Sequence, residues 1–178
     1  IAERILLSFK KKIDLTILRP ATVCGYSPSM RLDVAVNALT FNALKNNKIK
    51  VFGGKQIRPN LNMFDMVNAY VFSIQRKYKK DRRVKDTIFN IGFENLSILN
   101  IAKRINKCLL KKYEIDIIKS NDPRSYRQDS SRILAVGFSP KKTIKDAIIE
   151  IKEKFLQNKI KRHKKFYRVN TLKIIKVK

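Results

Sequence analysis

One arginine stands in a constrained setting. In GGKQIRPNLNMFD, residues 53 to 65, two glycines precede Arg58 and a proline follows it. A guanidinium presents its donors in a planar fork that matches a phosphate or diphosphate bidentately. Flanking glycines permit close backbone approach to such a ligand. Pro59 has no N–H of its own and biases the preceding residue toward an extended conformation, which helps to fix the direction of the Arg58 side chain. The chemistry on offer is anion recognition. The same stretch also reads as an ordinary surface arginine in a hairpin.

DPRSYRQDSS, residues 122 to 131, supplies a second constellation, with Arg124 and Arg127 on either side of Tyr126. These arginines and Arg58 could clamp an anionic ligand from different sides, or they could pair with Asp122 and Asp129, an outcome worth little energy at a surface. Other chemistries lack their residues. Cys24 and Cys108 are far apart with no CxxC spacing, and His163 is the single histidine, so neither a metal site, a disulfide framework nor a Ser/His/Asp apparatus has support. No GxGxxG, GxxGxxG or P-loop is present to cradle a dinucleotide pyrophosphate.

The chain that must position these groups has 178 residues, enough for one domain with a real core. Its two distant cysteines suit a reduced, cytoplasmic setting, and no long apolar run or cleavable-signal layout argues for a membrane. The formal charge of +27 predicts attraction to polyanions, but lysines spread along helix exteriors also read as solvated faces. After Glu153 the chain is basic throughout, so residues 158–178 are set apart as a basic tail.

Strand and helix patterns alternate, which predicts an α/β fold. IAERILLSF has helical spacing, and IDLTILRPATVCG reads as a strand covered on both faces of a parallel sheet. Apolar residues at 32, 36, 39, 43 and 44 predict a helix between Ser29 and Asn47. IKVFGG reads as a short strand, and DMVNAYVFSIQRKYKK as a helix with Asp65 at its N-cap or first turn. TIFNIG is a buried strand, FENL a loop, and SILNIAKRINKCLLKK a helix capped by Ser97 with Cys108 on its core face. EIDIIK alternates as a strand. A short helix follows DPRSYRQDSSRI, and TIKDAIIEIKEKFLQNK is the last helix, with Thr143 placed for its N-cap.

Read in order, LRPATVCGYSPSMRLDVAVNAL, VFGGKQIRPNLNMFDMVNAY, FNIG and DPRSYRQDSSRILAVGFSPKKTIKDAI resemble the C-terminal half of the extended short-chain dehydrogenase/reductase family, specifically the NAD-dependent nucleoside-diphosphate-sugar epimerases and dehydratases. Four blocks occur in the family's order over roughly residues 1 to 155. The resemblance implies the C-terminal part of a Rossmann-type doubly wound sheet plus a small mixed α/β substrate-binding lobe, together over residues 1–157. It further implies that Ile1 lies just after a Tyr-x-x-x-Lys motif on the same helix, so that the chain carries no catalytic residue and is inactive alone.

By the same resemblance, NAD or NADP serves the complete protein, with none bound strongly by this fragment. Pro20 and Val23 lie on the strand end against the nicotinamide. Asn37 falls on a helix lining the substrate side, Arg58 matches the arginine that holds the diphosphate, and Arg124 the second phosphate-contacting arginine, unless the alignment slips to Arg127. The expected partners are a nucleoside-diphosphate sugar, a missing N-terminal half and, for the complete protein, a second copy in a homodimer. A different reading is a non-catalytic basic module on nucleic acid; beside the first reading, only weak nonspecific nucleic-acid binding is expected. Two departures from the family pattern stand out, Cys24-Gly25-Tyr26 in place of Tyr-Gly-Pro, and Asn62 in place of a histidine.

Overall fold

The computed structural model describes residues 1–78, 87–160 and 166–167. In chain order, helix α1 (Ala2–Ser8) leads into strands β1 (Thr16–Pro20) and β2 (Thr22–Cys24), helix α2 (Ala35–Asn46) and strands β3 (Lys48–Phe52) and β4 (Ile57–Asn62). Helix α3 (Met63–Tyr78), strands β5 (Thr87–Ile91) and β6 (Glu94–Ser97), helix α4 (Ile98–Leu109) and strand β7 (Glu114–Ile118) follow, and α5 (Ser131–Ala135) and α6 (Ile144–Leu156) complete the order.

β1 pairs in parallel with β5, from Thr16 opposite Thr87 to Pro20 opposite Ile91. The chain then breaks at Ala21, whose N–H donates to Ile91 O, and β2 joins a different sheet, in parallel with β4. The expected single strand is thus two, each serving its own layer. Nor is β1 covered on both faces: only Ile17 is buried, and among the described residues β1 has a neighbour on one edge alone. β4 is central in its sheet, with antiparallel β6 on its other side. β6 occupies the segment expected to be a loop; its polar sequence carries no apolar alternation, and the strand exists through backbone pairing to β4. β3 and β7 form a third parallel pair.

Two apolar clusters hold the layers. Leu61, Ala69, Phe89, Ile91, Ile133 and Phe138 pack between β1/β5, α3 and α5. Val36, Leu39, Ile49, Val51, Ile101, Ile105, Tyr113 and Ile148 fill the lobe built from α2, α4, α6, β3 and β7. Cys24 lies in this second cluster with its thiol buried, and Cys108 packs at its margin. A smaller cluster gathers Met30, Leu32, Phe41, Ile151, Ile160 and Phe166, so Ile160 and Phe166 of the basic tail are packed on the lobe. Residues 161–165 and 168–178 of that tail lie outside the described residues.

Helix termini follow local chemistry. Ser97 Oγ accepts the Asn100 N–H at 3.1 Å, and Thr143 forms a capping box with Asp146. α2 begins at Ala35, six residues later than Ser29, because Asn37 turns back to bond the loop before it. Asp65 lies in the first turn of α3, as expected, and is fully buried; its carboxylate accepts the N–H groups of Lys141 and Lys142 at 2.9 and 2.8 Å. At the helix start Asn62 accepts from Phe64 N while its amide donates to Thr143 O.

α3 is apolar on two sides. Ala69 and Met66 face the core, whereas Phe64, Val67, Tyr70, Val71 and Ile74 form an exposed stripe on the opposite side. α1 buries none of its residues and is joined to β1 by the ion pair of Glu3 with Arg19.

Candidate functional site

A cleft of about 700 Å³ lies between the two cores, walled by the start of β2, the 25–38 segment, the beginning of β4 and the 122–126 loop. Arg58 extends from central strand β4, where its neighbour across the ladder is Leu96. Its side chain is 14% exposed, which excludes the ordinary surface arginine. Nη1 donates to the carbonyls of Ile57, at 3.0 Å, and Arg124, and Nη2 donates to Asp122 Oδ2 at 2.9 Å. The guanidinium carbon sits 5.5 Å from the centre of the Tyr126 ring, a cation–π contact that fixes the plane of the fork.

Arg124 reaches the same carboxylate from the other side. Its Nε and Nη2 donate to Asp122 Oδ1 and Oδ2 at 2.7 and 2.9 Å, a fork-to-fork pair, and its backbone N–H adds a third bond to Oδ1 at 3.1 Å. These bonds from Arg124, with the nearby Arg58 charge, hold the Asp122 carboxyl down at about 2. Of the pairings the DPRSYRQDSS stretch allowed, the one with Asp122 forms, through Arg124 and Arg58, and both of these arginines line the cleft. Asp129 goes elsewhere, accepting from Ser131 N and Oγ at the start of α5.

Asn37 also lines the cleft but is 2% exposed, and its amide is engaged with the backbone: Oδ1 accepts Gly25 N at 3.0 Å and Nδ2 donates to Arg31 O at 2.9 Å. It braces the 25–31 loop that forms the cleft wall. Gly25 itself has φ of +111°, and a Cβ there would stand 3.1 Å from Glu150 Oε2, so the loop needs glycine on both counts. Glu150, on α6, in turn accepts Tyr26 N at 3.0 Å. Gly53 and Gly54 are not among the residues lining the cleft. They turn the chain between β3 and β4, with Gly54 N bonded to Gln56 Oε1 and Gly54 packed beside Val51 and Leu99.

Val23 lines the large cleft, and Pro20 lines an adjoining cavity of about 440 Å³ together with Thr22, Tyr126, Arg127 and Gln128. Arg127 thus faces a different space from Arg58 and Arg124. Gln128 was not singled out by its sequence setting. Its amide donates to Arg19 O at 2.9 Å, while its buried Oε1 accepts no bond. The Cys24 thiol is pushed up to about 12 by burial, with the Glu94 charge adding to it, which keeps it protonated in the core. Among the described residues no helix is long and apolar enough to cross a membrane, and no group of three or more His, Cys, Asp and Glu side chains is placed to hold a metal ion.

The arrangement resembles solved nucleotide-sugar enzymes. UDP-glucose 4-epimerase from Thermotoga maritima, solved with UDP-glucose, superposes with a TM-score of 0.72 at 20% identity, over 89% of this chain and 52% of the other. UDP-glucuronic acid 4-epimerase from Bacillus cereus gives 0.67 at 25% identity, over 85% and 50%. dTDP-glucose 4,6-dehydratase from Bacillus anthracis gives 0.67 at 21%, over 89% and 50%. The chain spans about half the length of the structures it matches, and its α/β architecture is a partial Rossmann fold with an attached lobe. A model of the NAD dependent epimerase/dehydratase family matches residues 1–92, and on that match, with the parallel β1/β5 pair and the cleft beside it, the chain belongs to the NAD dependent epimerase/dehydratase family.

Proposed function

We propose that this chain is the substrate-binding half of a nucleoside-diphosphate-sugar epimerase or dehydratase, and that the 700 Å³ cleft receives the diphosphate of the activated sugar. The observation that carries this reading is the convergence of Arg58 and Arg124, from segments distant in sequence, on one wall of that cleft. Arg58 is held in place by two carbonyls, Asp122 and the Tyr126 ring before any ligand arrives. Such preorganisation reduces the ordering cost of binding. Asn37 contributes by fixing the 25–31 loop of the cleft wall rather than by reaching out to the sugar.

The cofactor fits only in part. Pro20 ends β1 and Val23 is the middle residue of β2, each lining a cavity, and the orphaned Gln128 Oε1 is an acceptor that an amide donor could satisfy. No glycine-rich pyrophosphate cradle occurs in these residues. In the complete protein NAD or NADP would supply hydride transfer; this chain contributes one wall of its site and binds it weakly by itself. No Tyr-x-x-x-Lys occurs in the chain either, so we assign it binding without turnover until an N-terminal half completes it. Residues 1–157 form the family unit in this reading, residues 158–178 are an extension anchored through Ile160 and Phe166, and the complete protein works in the cytoplasm.

Calorimetric titration with UDP-, GDP- and dTDP-sugars tests the proposal. One of them binds, and Arg58→Ala weakens it. If arbitrary RNA binds more tightly than every nucleotide sugar, with a steep log–log salt dependence, the basic-module reading replaces this one.

A further inference from the structure

The two arginines are not equivalent. Arg58 keeps the Ile57 and Arg124 carbonyls and the Tyr126 ring even without Asp122. Arg124 has a side chain 76% exposed, and its guanidinium is held by Asp122 through both Nε and Nη2. Asp122, 23% exposed, lies on the wall of the same cleft. With its carboxyl at about 2 it is ionised at working pH and competes with any incoming anion for Arg124.

Building on the proposed diphosphate site, we propose that Asp122 is a specificity-determining residue: an internal anion that occupies the exposed arginine and yields it to a ligand bringing two phosphoryl groups. A monophosphate needs one guanidinium and uses the donors left free on Arg58, leaving the Asp122–Arg124 fork closed. A diphosphate needs both, so it opens the fork and takes Arg124 for its second phosphoryl group. Asp122 thereby lowers affinity for diphosphates, and in return keeps the site from presenting two uncompensated cations to every small anion.

Inorganic pyrophosphate and orthophosphate separate the two cases without involving a base or sugar. Asp122→Asn is expected to raise pyrophosphate affinity about fivefold, on the scale of one exposed ion pair, and orthophosphate affinity by no more than about twofold. Equal gains for both anions, no gain, or a loss would overturn the inference. In the wild-type chain, whatever the variant's folding, the Arg124 Nε–Hε resonance should move on saturation with pyrophosphate and stay in place with orthophosphate. Movement with both, or with neither, would also overturn it. Arg58→Ala separates this inference from the reading beneath it: unchanged pyrophosphate affinity in that variant removes the phosphate site itself, whereas weakened binding there with no gain in Asp122→Asn removes only the role of Asp122.

Discussion

Arg58 Nη2 lies 2.9 Å from Asp122 Oδ2 although 64 residues separate them in the chain. That bond joins the central strand of one sheet to a loop that also carries Arg124, and it defines one corner of the cleft.

Replacing Arg58 by alanine should weaken nucleotide-sugar binding by about 1.5 to 3 kcal/mol, the range for a hydrogen bond to a charged group. Arg58→Lys should recover only part of the loss, because an ammonium cannot reproduce the planar fork. Isothermal titration of both variants checks the order.

Acid should act through Asp122. Its folded carboxyl at about 2 lies below the ordinary 3.8, so its pairing contributes stability in full above about pH 4, and that contribution is lost as pH falls through about 2. Thermal midpoints followed from pH 5 to pH 2 should therefore fall less in Asp122→Asn than in the wild-type chain.

Thiol labelling should separate the two cysteines. Burial raises both thiols, but Cys24 is fully enclosed whereas Cys108 is half-buried. Iodoacetamide at pH 8 should modify Cys108 first and Cys24 only on unfolding, as mass spectrometry of the digested protein would report.

Asp65→Ala should be among the costliest single changes in the fold. It leaves the N–H groups of Lys141 and Lys142 without their carboxylate, and losing partly buried bonds to a charged acceptor costs about 1.5 to 3 kcal/mol. Urea unfolding should show a lower midpoint with an unchanged slope.

Much of the fold was legible because it is local. α4 and α6 announced themselves through one-sided apolar spacing and side-chain caps, and β7 through its alternation. β6 was not legible, because Glu94–Ser97 becomes a strand only when β4 lies beside it. The break at Ala21 was hidden for a related reason: which sheet each half of the run joins depends on distant partners. Arg58, Arg124 and Val23 could be picked out as cleft-facing by residue type and motif. That Asp122 bridges the two arginines was not readable, since spacing along the chain allowed pairing with Asp122 or Asp129 equally. Asp65 was legible as a first-turn acid of α3, but its hydrogen-bond partners, 76 and 77 residues away, were not.

The outer stripe of α3, from Phe64 to Ile74, has a consequence for the protein in solution. At low ionic strength a formal charge of +27 keeps neighbouring molecules apart. Salt shortens that repulsion to about 3 Å at 1 M, within the reach of apolar contact. The chain should therefore precipitate as buffer concentration rises, and purification should begin in dilute buffer.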